Sequence, residues 1–359
     1  MALLQYSGVK ISALAGAVPA NCITNYDYTA NFPAKDVKDI VDRTGIKERR
    51  FAPAGMTASD LCFAAAEKLL VDNNIKREEI DVLLFVSQTP DYRMPATSVV
   101  LQNRLGLSKQ TAAFDINLGC SAFIYALSAA YAYATQPNIR KVLVLDGETR
   151  SRVYHPKDRS TAFLFGDAGV AALIEKDPRV GTSYFSLNSD GSRAELIKID
   201  AGGYRNPSTA DTLKEKVIDE HGNIRTDEHG HMNGPDVFNF VLREIPKDLK
   251  RLQAFANKEL SELDYYLFHQ ANDFMNSYLA KKLKLAPEKT PSSIAKFGNT
   301  SSVSIPITMV DQLQGQLSGS KNLLLCGFGV GMSWASAIIP TLDCKISELV
   351  ELELRNDAL

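Results

Sequence analysis

The feature of this 359-residue chain that most restricts its fold is a weak internal repeat. Four segments of the first half recur in the second half, in the same order and about 180 residues further along. One such match is expected between any two α/β stretches, whereas four in register favour a duplicated fold with similar halves, residues 1–184 and 185–359. The matched segments are 85–91 with 267–273, 104–107 with 282–285, 118–121 with 297–300, and 143–145 with 323–325.

Short apolar runs alternate with helical patterns along the chain. Residues 82–86 are apolar and partly β-branched, which predicts a buried strand. Residues 122–134 predict a buried helix, and residues 58–72 predict an amphipathic helix capped by Ser59 and Asp60. This alternation predicts an α/β architecture in which mainly parallel strands are buried on both faces of their sheets.

Composition argues against several classes of protein. The net charge of −2 gives no whole-molecule attraction to nucleic acid or to an anionic membrane. The five cysteines are widely spaced and form no CxxC pair, so we expect neither disulfides nor a metal site, no cofactor, and a cytoplasmic location. We see no signal peptide and no apolar stretch approaching the roughly 20 residues that cross a bilayer. Residues 205–233 are polar and predict a long exposed excursion between the halves.

Cys120 is the candidate nucleophile of the chain. A predicted strand runs into Gly119 and a predicted helix begins near Cys120, which places the thiol at a helix N-terminus. There the free N–H groups and the helix dipole favour the thiolate, which is the reactive form in acyl transfer. A cysteine in an apolar segment is also typical of a small buried hydrophobic residue, and that alternative stays open.

Two residues of the second half are candidates to act with Cys120. His269 directly follows an apolar run and takes the repeat position of Ser87, so the fold itself does not require a histidine there. Asn299 takes the repeat position of Cys120, each being predicted to lie after a strand and before a helix. Taken singly, His269 is also typical of a buried imidazole and Asn299 of a helix cap. Because ligands bind at the carboxyl ends of parallel strands, we expect the three side chains to converge where the halves meet.

The glycine-rich segment 327–331 follows the predicted strand 323–325. Met332 breaks the GxGxxG pattern of dinucleotide-binding loops. We therefore interpret the segment as a loop that presents backbone N–H groups to an oxyanion.

With these residues in view, the sequence resembles the β-ketoacyl-acyl carrier protein synthase III family from about residue 7 to residue 340. The order of Cys120, then HQAN at 269–272, then GNTS at 298–301 matches the catalytic triad of that family. The resemblance implies a thiolase fold, in which duplicated α/β halves form five αβαβα layers, and usually a homodimer. Further matching segments are 43–49, 115–125, 158–159, 165–167, 190–192 and 327–333.

The resemblance also implies a two-step reaction. Cys120 attacks an acyl thioester of coenzyme A or acyl carrier protein, and the backbone N–H groups of Cys120 and Val330 hold the oxyanion. Malonyl-acyl carrier protein then binds, and His269 and Asn299 donate hydrogen bonds to its thioester carbonyl while carbon dioxide leaves. The resulting carbanion attacks the acyl-Cys120. This decarboxylative Claisen condensation starts fatty-acid chains.

Other positions follow from the resemblance, with some departures from the family. Arg43, Arg159 and Phe328 correspond to substrate-binding positions, and Met94 to the position that limits acyl length from across the dimer. The tryptophan that stacks on adenine in the family is Asp39 here, which weakens the expected contact with coenzyme A and leaves a carrier-protein donor open.

The basic residues that dock the acidic carrier protein in the family are only partly present in this chain. Lys281 and Lys282 match the family's basic pair, whereas Phe274 replaces an arginine. Carrier docking is therefore expected mainly at the lysine pair.

Three other interpretations remain open. The same chemistry in a specialised pathway, making a secondary metabolite, a lipid or a polysaccharide, would agree with the loss of the adenine-stacking aromatic residue. A catalytically silent subunit of the same fold typically lacks the nucleophile, whereas Cys120 is present. A cysteine peptidase uses Cys, His and Asn, but its CGSCW-type context is absent from this sequence.

Overall fold

Two mixed β-sheets and the helices around them make up the fold of residues 2–354, the part of the chain that this computed structural model describes. The strands are β1 (Ala2–Ser7), β2 (Val9–Pro19), β3 (Cys22–Thr24), β4 (Glu48–Arg50), β5 (Ile80–Val86), β6 (Ala112–Ile116), β7 (Lys141–Thr149), β8 (Asp167–Lys176), β9 (Thr182–Ser189), β10 (Ile197–Ile199), β11 (Lys216–Val217), β12 (Ile224–Arg225), β13 (Gly230–Met232), β14 (Tyr265–Phe268), β15 (Ser320–Gly329), β16 (Ser333–Leu342), β17 (Lys345–Ile346) and β18 (Val350–Leu352). The α-helices are α1 (Ala34–Thr44), α2 (Ala58–Asp72), α3 (Thr97–Arg104), α4 (Ala122–Ala134), α5 (Gly234–Ala256), α6 (Asp273–Lys282), α7 (Ile294–Phe297) and α8 (Ser304–Gln312).

The two large sheets alternate with three layers of helices. One sheet has the order β17-β2-β8-β7-β5-β6, with β18 also paired to β2, and the other has the order β1-β9-β16-β15-β14. Helices α4 and α8 lie between the sheets, α2 and α3 cover the outer face of the first sheet, and α5 and α6 cover the outer face of the second. The predicted five-layer αβαβα arrangement is confirmed.

Strand β5 shows why these runs become central strands. Its residues alternate between two cores: Leu83 and Phe85 pack with α2 on the outer face, while Val82 and Leu84 pack with α4 between the sheets. A strand that is buried on both faces is apolar at every position, so its sequence shows no polar alternation. The predicted strand at 82–86 is confirmed within this element.

Helix α4 is apolar on all sides because both sheets cover it. It is rich in alanine, and small side chains let the sheets approach the helix closely, while Phe123 and Tyr131 fill the remaining space. A helix that is hydrophobic all round is typical of a fully buried layer. The predicted bounds 122–134 match the structure.

Three expectations about local structure were wrong. The sheets are mixed, because β8 is antiparallel to both of its neighbours, whereas β5 is parallel to β6 and β7. The element before Asn299 is the short helix α7, and the neighbouring backbone has only an isolated bridge to Phe165. Helix α2 is capped by Thr57, which forms a capping box with Asp60, because a capping box joins the N-cap residue to the third helical residue.

Each end of the chain adds strands to the sheet that is formed mainly by the other half of the chain. Strand β1 pairs with β9 in the second sheet, although it comes first in the sequence. Strands β17 and β18 pair with β2 in the first sheet, although they come last. The division of the chain at residues 184 and 185 stays a prediction, and each sheet takes a strand from the opposite end of the chain.

The segment 205–233 is mostly exposed up to residue 222 and then returns to the body of the protein. It contains the short strands β11, β12 and β13, and its last residues reach the cavity described below through Met232. Among residues 2–354, no helix is both long and apolar enough to cross a bilayer.

Candidate active site

Cys120 lies at the junction between β6 and α4, where the backbone is closely packed. A Cβ atom added to Gly329 would fall 2.7 Å from the Cys120 sulfur, so the glycine-rich segment, which is the end of β15 up to residue 329 and a loop at residues 330–332, passes directly over the thiol. The hydroxyls of Ser121 and Ser333 are 2.7 Å apart and tie the start of α4 to the end of that loop. The absence of a side chain at Gly329 therefore keeps the sulfur accessible.

The surroundings of Cys120 make its thiol unusually acidic. Burial raises the pKa of Cys120, but the charge and hydrogen bond of His269, the charge of Arg150 and the hydroxyl of Ser301 outweigh it and bring the pKa down to about 7. The Ser301 hydroxyl lies 3.8 Å from the sulfur. By contrast, burial raises the pKa of the other interior cysteines, Cys62, Cys326 and Cys344.

His269 follows the last residue of β14 and is held in one orientation. Its backbone N–H donates to the carbonyl oxygen of Cys326 at 2.8 Å, continuing the pairing of β14 with β15. Its Nδ1 is 2.7 Å from the hydroxyl of Ser304, at the first residue of α8. Phe328 packs edge-on against the imidazole, and the two ring centres are 5.5 Å apart. With Nδ1 engaged by Ser304, Nε2 is the ring nitrogen left for Cys120 and a substrate.

Asn299 is fixed by backbone contacts on both sides. Its N–H donates to the carbonyl oxygen of Leu164 at 2.8 Å, and its own carbonyl oxygen accepts from the N–H of Gly166 at 3.1 Å. Its side-chain Oδ1 accepts from the backbone N–H of Ser301 at 2.9 Å. This bond uses the acceptor of the carboxamide and leaves the Nδ2 group as a donor toward the cavity.

The oxyanion role of two backbone N–H groups, those of Cys120 and Val330, stays a prediction that the local structure permits. Cys120 and Val330 both lie outside helices and strands, at the start of α4 and at the tip of the glycine-rich loop. Within residues 2–354, neither N–H donates a hydrogen bond to a backbone or side-chain acceptor. Backbone donors held in this way are what an oxyanion hole requires.

A cavity of about 420 Å³ brings the three predicted catalytic residues together. Cys120, His269 and Asn299 all line it, and so does Phe328. Most of the remaining wall is apolar, as expected for a site that takes an acyl chain. The wall includes Leu164, Phe165, Met232, Val237, Phe238, Phe274 and Met275.

The predicted coenzyme A and chain-length positions lie away from this cavity. Arg159 lies at the edge of a separate cleft and donates to the carboxylate of Asp36 at 2.7 Å. Arg43 is exposed near the end of α1. Met94 is 81% exposed, on the segment between β5 and α3. Their roles stay predictions, as does the role of Asp39.

The predicted docking residues are exposed on α6. Lys281 and Lys282 lie in its last turn, and Lys282 donates to the carbonyl oxygen of Leu242 at 2.8 Å. Phe274, in the first turn, stacks on Phe238 with the ring centres 5.4 Å apart. Phe274, which replaces the expected arginine, is therefore part of the apolar wall of the cavity. The carrier-docking role of the lysine pair stays a prediction.

Three residues of the site were not among those predicted from the sequence. Ser301 and Ser304 contact the thiol and the imidazole, and Arg150 lines the cavity beside Cys120. A usable signal existed for Arg150, since it follows the buried strand β7, and the ends of such strands are where ligands bind.

We expect the rate at which iodoacetamide alkylates Cys120 to rise with pH and to be half-maximal near pH 7. The pKa of Cys120 is lowered to about 7, so the reactive thiolate is the major form above that pH and the inert thiol below it. An ordinary cysteine would show its midpoint at about pH 8.5. The rate can be followed by intact-mass spectrometry in Cys22→Ala protein, which lacks the exposed thiol. A midpoint at or above that of an ordinary cysteine would contradict this account.

Comparisons with known proteins give consistent matches along the chain. Residues 114–191 match the family model described as 3-oxoacyl-(acyl-carrier-protein (ACP)) synthase III, and residues 254–341 match the model of its C-terminal part. The chain is 36% identical over 333 residues to a β-ketoacyl-(acyl-carrier-protein) synthase III of Streptococcus pneumoniae, covering 92% of this chain and 98% of that protein.

Solved structures are similar over nearly the whole chain. The crystal structure of a 3-oxoacyl-(acyl-carrier protein) synthase from Burkholderia xenovorans matches with a TM-score of 0.91 and 37% identity, over 98% of this chain and 99% of that one. The priming β-ketosynthase of the R1128 polyketide pathway matches with a TM-score of 0.81 at 24% identity, over 94% and 97% of the two chains. At that identity the second match shows the fold alone.

Proposed function

The chain belongs to the β-ketoacyl-(acyl-carrier-protein) synthase III family, and on that premise we propose how its residues share the reaction. The protein is an acyltransferase that condenses an acyl thioester with malonyl-acyl carrier protein at the start of fatty-acid chains. The observation that carries the proposed roles is the meeting of Cys120, His269 and Asn299 in one apolar cavity. The thiol in that cavity has a pKa of about 7.

In the first step, the Cys120 thiolate attacks the carbonyl carbon of the acyl thioester. The proton that left the thiol resides on His269, whose charge favours the thiolate. The tetrahedral oxyanion is held by the N–H groups of Cys120 and Val330, which have no other acceptor within residues 2–354. When this intermediate collapses, the carrier thiolate leaves and takes the proton from His269. Cys120 then holds the acyl group, and His269 is neutral.

In the second step, malonyl-acyl carrier protein occupies the cavity. The Nε2–H of neutral His269 and the Nδ2–H of Asn299 donate to its thioester carbonyl oxygen. They stabilise the enolate that forms as the carbon–carboxylate bond breaks and carbon dioxide leaves. The enolate carbon attacks the acyl carbonyl, and the Cys120 thiolate is expelled. The apolar wall of the cavity strengthens each of these electrostatic contacts.

The carrier of the acyl group and the assembly of the enzyme form part of the proposal. Arg159 is ion-paired with Asp36, and Asp39 stands at the adenine-stacking position, so we propose acyl carrier protein as the better donor. A homodimer is supported by the exposed apolar side chains of Tyr92, Met94 and Val99, which lie close together in sequence. A cytoplasmic setting is supported by five free cysteines within residues 2–354.

Condensation is tested by supplying purified protein with an acyl thioester and malonyl-acyl carrier protein and detecting the product by mass spectrometry. We expect an acyl adduct on Cys120 with the first substrate alone, and 3-oxoacyl-carrier protein with release of carbon dioxide once the second is added. Acyl-coenzyme A and acyl-carrier donors of equal chain length, compared side by side, identify the preferred carrier.

Two results of this assay would overturn the assigned chemistry. An enzyme that is acylated but releases no carbon dioxide from malonyl-acyl carrier protein would be a simple acyltransferase. A protein that forms no adduct with any thioester would be a silent subunit. Cleavage of a peptide substrate, as by a cysteine peptidase, is not expected.

A further inference from the structure

A second cavity, of about 230 Å³, adjoins the one that holds Cys120. The two cavities share the residues Arg150, Tyr154, Ile197 and Val330. An acyl chain attached to Cys120 therefore has Arg150 in the wall of its pocket, between the reactive sulfur and the smaller cavity. In the proposed reaction, Arg150 acts only through its effect on the pKa of the Cys120 thiol.

Arg150 is a buried cation with few partners. It is 6% exposed, and its guanidinium donates to the hydroxyl of Tyr154 at 3.0 Å and, at a longer 3.4 Å, to the side-chain oxygen of Gln88. The guanidinium also lies over the rings of Tyr154 and Phe165, with its carbon 5.5 and 5.8 Å from the ring centres. Its Nε–H has no hydrogen-bond partner within the described part of the chain.

No carboxylate of residues 2–354 comes within ion-pairing distance, 4.0 Å, of this guanidinium. The nearby buried Glu148 attracts it from further away, but the Glu148 oxygens already accept from the N–H of Gln88 and the hydroxyl of Thr89, both at 3.1 Å. A buried charge without a partner costs several kcal/mol. A site that retains such a charge fits a ligand that supplies the missing anion.

The smaller cavity is polar at this end. Gln88 and Asn117 add carboxamides to its wall, and Lys198 adds an ammonium group. Lys198 is already paired with Glu195 and Asp200, at 2.9 and 3.5 Å. The cation available to a ligand is therefore Arg150.

We propose that Arg150 forms a subsite for acyl groups whose far end carries a carboxylate, so that the enzyme takes dicarboxylic half-thioesters as acyl donors. The inference rests on the proposed function, because the ligand is the acyl group that Cys120 receives. The thioester end of the donor reacts with Cys120 as described above. The distal carboxylate keeps its bonds and accepts hydrogen bonds from the guanidinium, whose fork matches two carboxylate oxygens.

The malonyl extender is a less suitable anion for this subsite. Its carboxylate must leave as neutral carbon dioxide, and a strong contact to the carboxylate in the ground state would slow that loss. The acyl group, by contrast, stays on the enzyme with its distal end unchanged. Experiments without any malonyl donor therefore isolate the proposed subsite.

The test compares donors of matched shape. Succinyl- and glutaryl-coenzyme A carry a terminal carboxylate, while 4-methylpentanoyl- and 5-methylhexanoyl-coenzyme A carry an isopropyl group of the same shape. The rate of Cys120 acylation is measured by intact-mass spectrometry with no malonyl donor present. We expect wild-type protein to react with the better carboxylate donor at least about tenfold faster than with its apolar partner, as a charge-assisted hydrogen bond predicts.

Arg150→Met and Arg150→Lys are the matched variants. Methionine keeps a long side chain without charge, so the donor preference should reverse, whereas lysine should retain part of it. The decisive quantity is the ratio of the Cys120 acylation rates with the two donors, measured within one protein. Arg150 also lowers the pKa of Cys120, so its loss slows acylation by both donors equally. A thermal melt verifies that each variant is folded.

The possible results separate the carboxylate subsite from the proposed function. A wild-type preference for the apolar donors, or a donor ratio unchanged in Arg150→Met, would overturn the carboxylate subsite and leave the condensation intact. Absence of any adduct, including with acetyl-coenzyme A, would overturn the proposed function and the subsite with it.

Discussion

Cys120→Ala protein is expected to form no covalent acyl adduct and to lose condensation by at least about 10³-fold, because in the proposed reaction the thiolate is the group that carries the acyl chain. Carbon dioxide release from malonyl-acyl carrier protein should continue, since the side chains of His269 and Asn299, which we propose to bind the thioester carbonyl, are held by Ser304 and Ser301 and not by the sulfur. Intact-mass spectrometry and a carbon dioxide assay on the same preparation separate the two half-reactions.

The control for this variant is Cys22→Ala. Cys22 is exposed, at the start of β3, so its removal should leave acylation and condensation at wild-type levels. A covalent adduct that persists in Cys120→Ala protein, or one that disappears in Cys22→Ala protein, would assign the nucleophile to another residue.

His269→Ala is expected to reduce carbon dioxide release and condensation by about 10²- to 10³-fold, the usual effect of removing one donor to an oxyanion. The same change should move the pH midpoint of Cys120 alkylation upward. Burial raises the pKa of Cys120, and His269 is the strongest of the groups that lower it. The carbon dioxide assay and the pH midpoint of alkylation therefore test both proposed roles of the His269 imidazole in a single variant.

Ser304→Ala is the matched control for His269. It removes the hydroxyl at Nδ1 and leaves the imidazole in place, so we expect a smaller loss, on the order of tenfold. If His269→Ala left the alkylation midpoint near pH 7, the imidazole would not be the group that favours the thiolate. If Ser304→Ala cost as much as His269→Ala, the orientation of the ring would matter as much as its presence.

The internal repeat predicted the centre of the molecule. It paired Cys120 with Asn299, and in the structure these residues precede α4 and α8, the two helices between the sheets. It also placed His269 at the end of a strand, and β14 ends at Phe268. These predictions succeeded because a duplicated fold repeats its buried positions, and buried positions leave a clear pattern in the sequence.

The direction of the strands was not predictable from the same pattern. Strands β8 and β16 are buried almost throughout, so neither shows the alternation of polar and apolar residues that a half-exposed strand has. Such a run looks the same whether its neighbours are parallel or antiparallel, and the pairing follows from the connections between strands. The expectation of mainly parallel sheets was wrong for this reason.

The serine contacts that tune the site were also beyond a single sequence, and for Arg150 the sequence showed only its place after a strand. Ser304 lies 35 residues from His269, and Ser301 lies 181 residues from Cys120, and no local signal relates them. Arg150 follows a strand, where a charged residue usually turns toward solvent. Only the packing of Tyr154 and Phe165 around it shows that this arginine faces inward.

The crossing of the chain ends makes the two halves inseparable. Separating the halves would remove β1 from one sheet and β17 and β18 from the other. Each sheet would then have an unpaired edge strand that is prone to aggregation. The sulfur comes from one half and the imidazole from the other, so their alignment depends on this exchange of strands between the halves. We therefore expect the two halves to unfold together, so that the reactive pair stays aligned for as long as the strand exchange is intact.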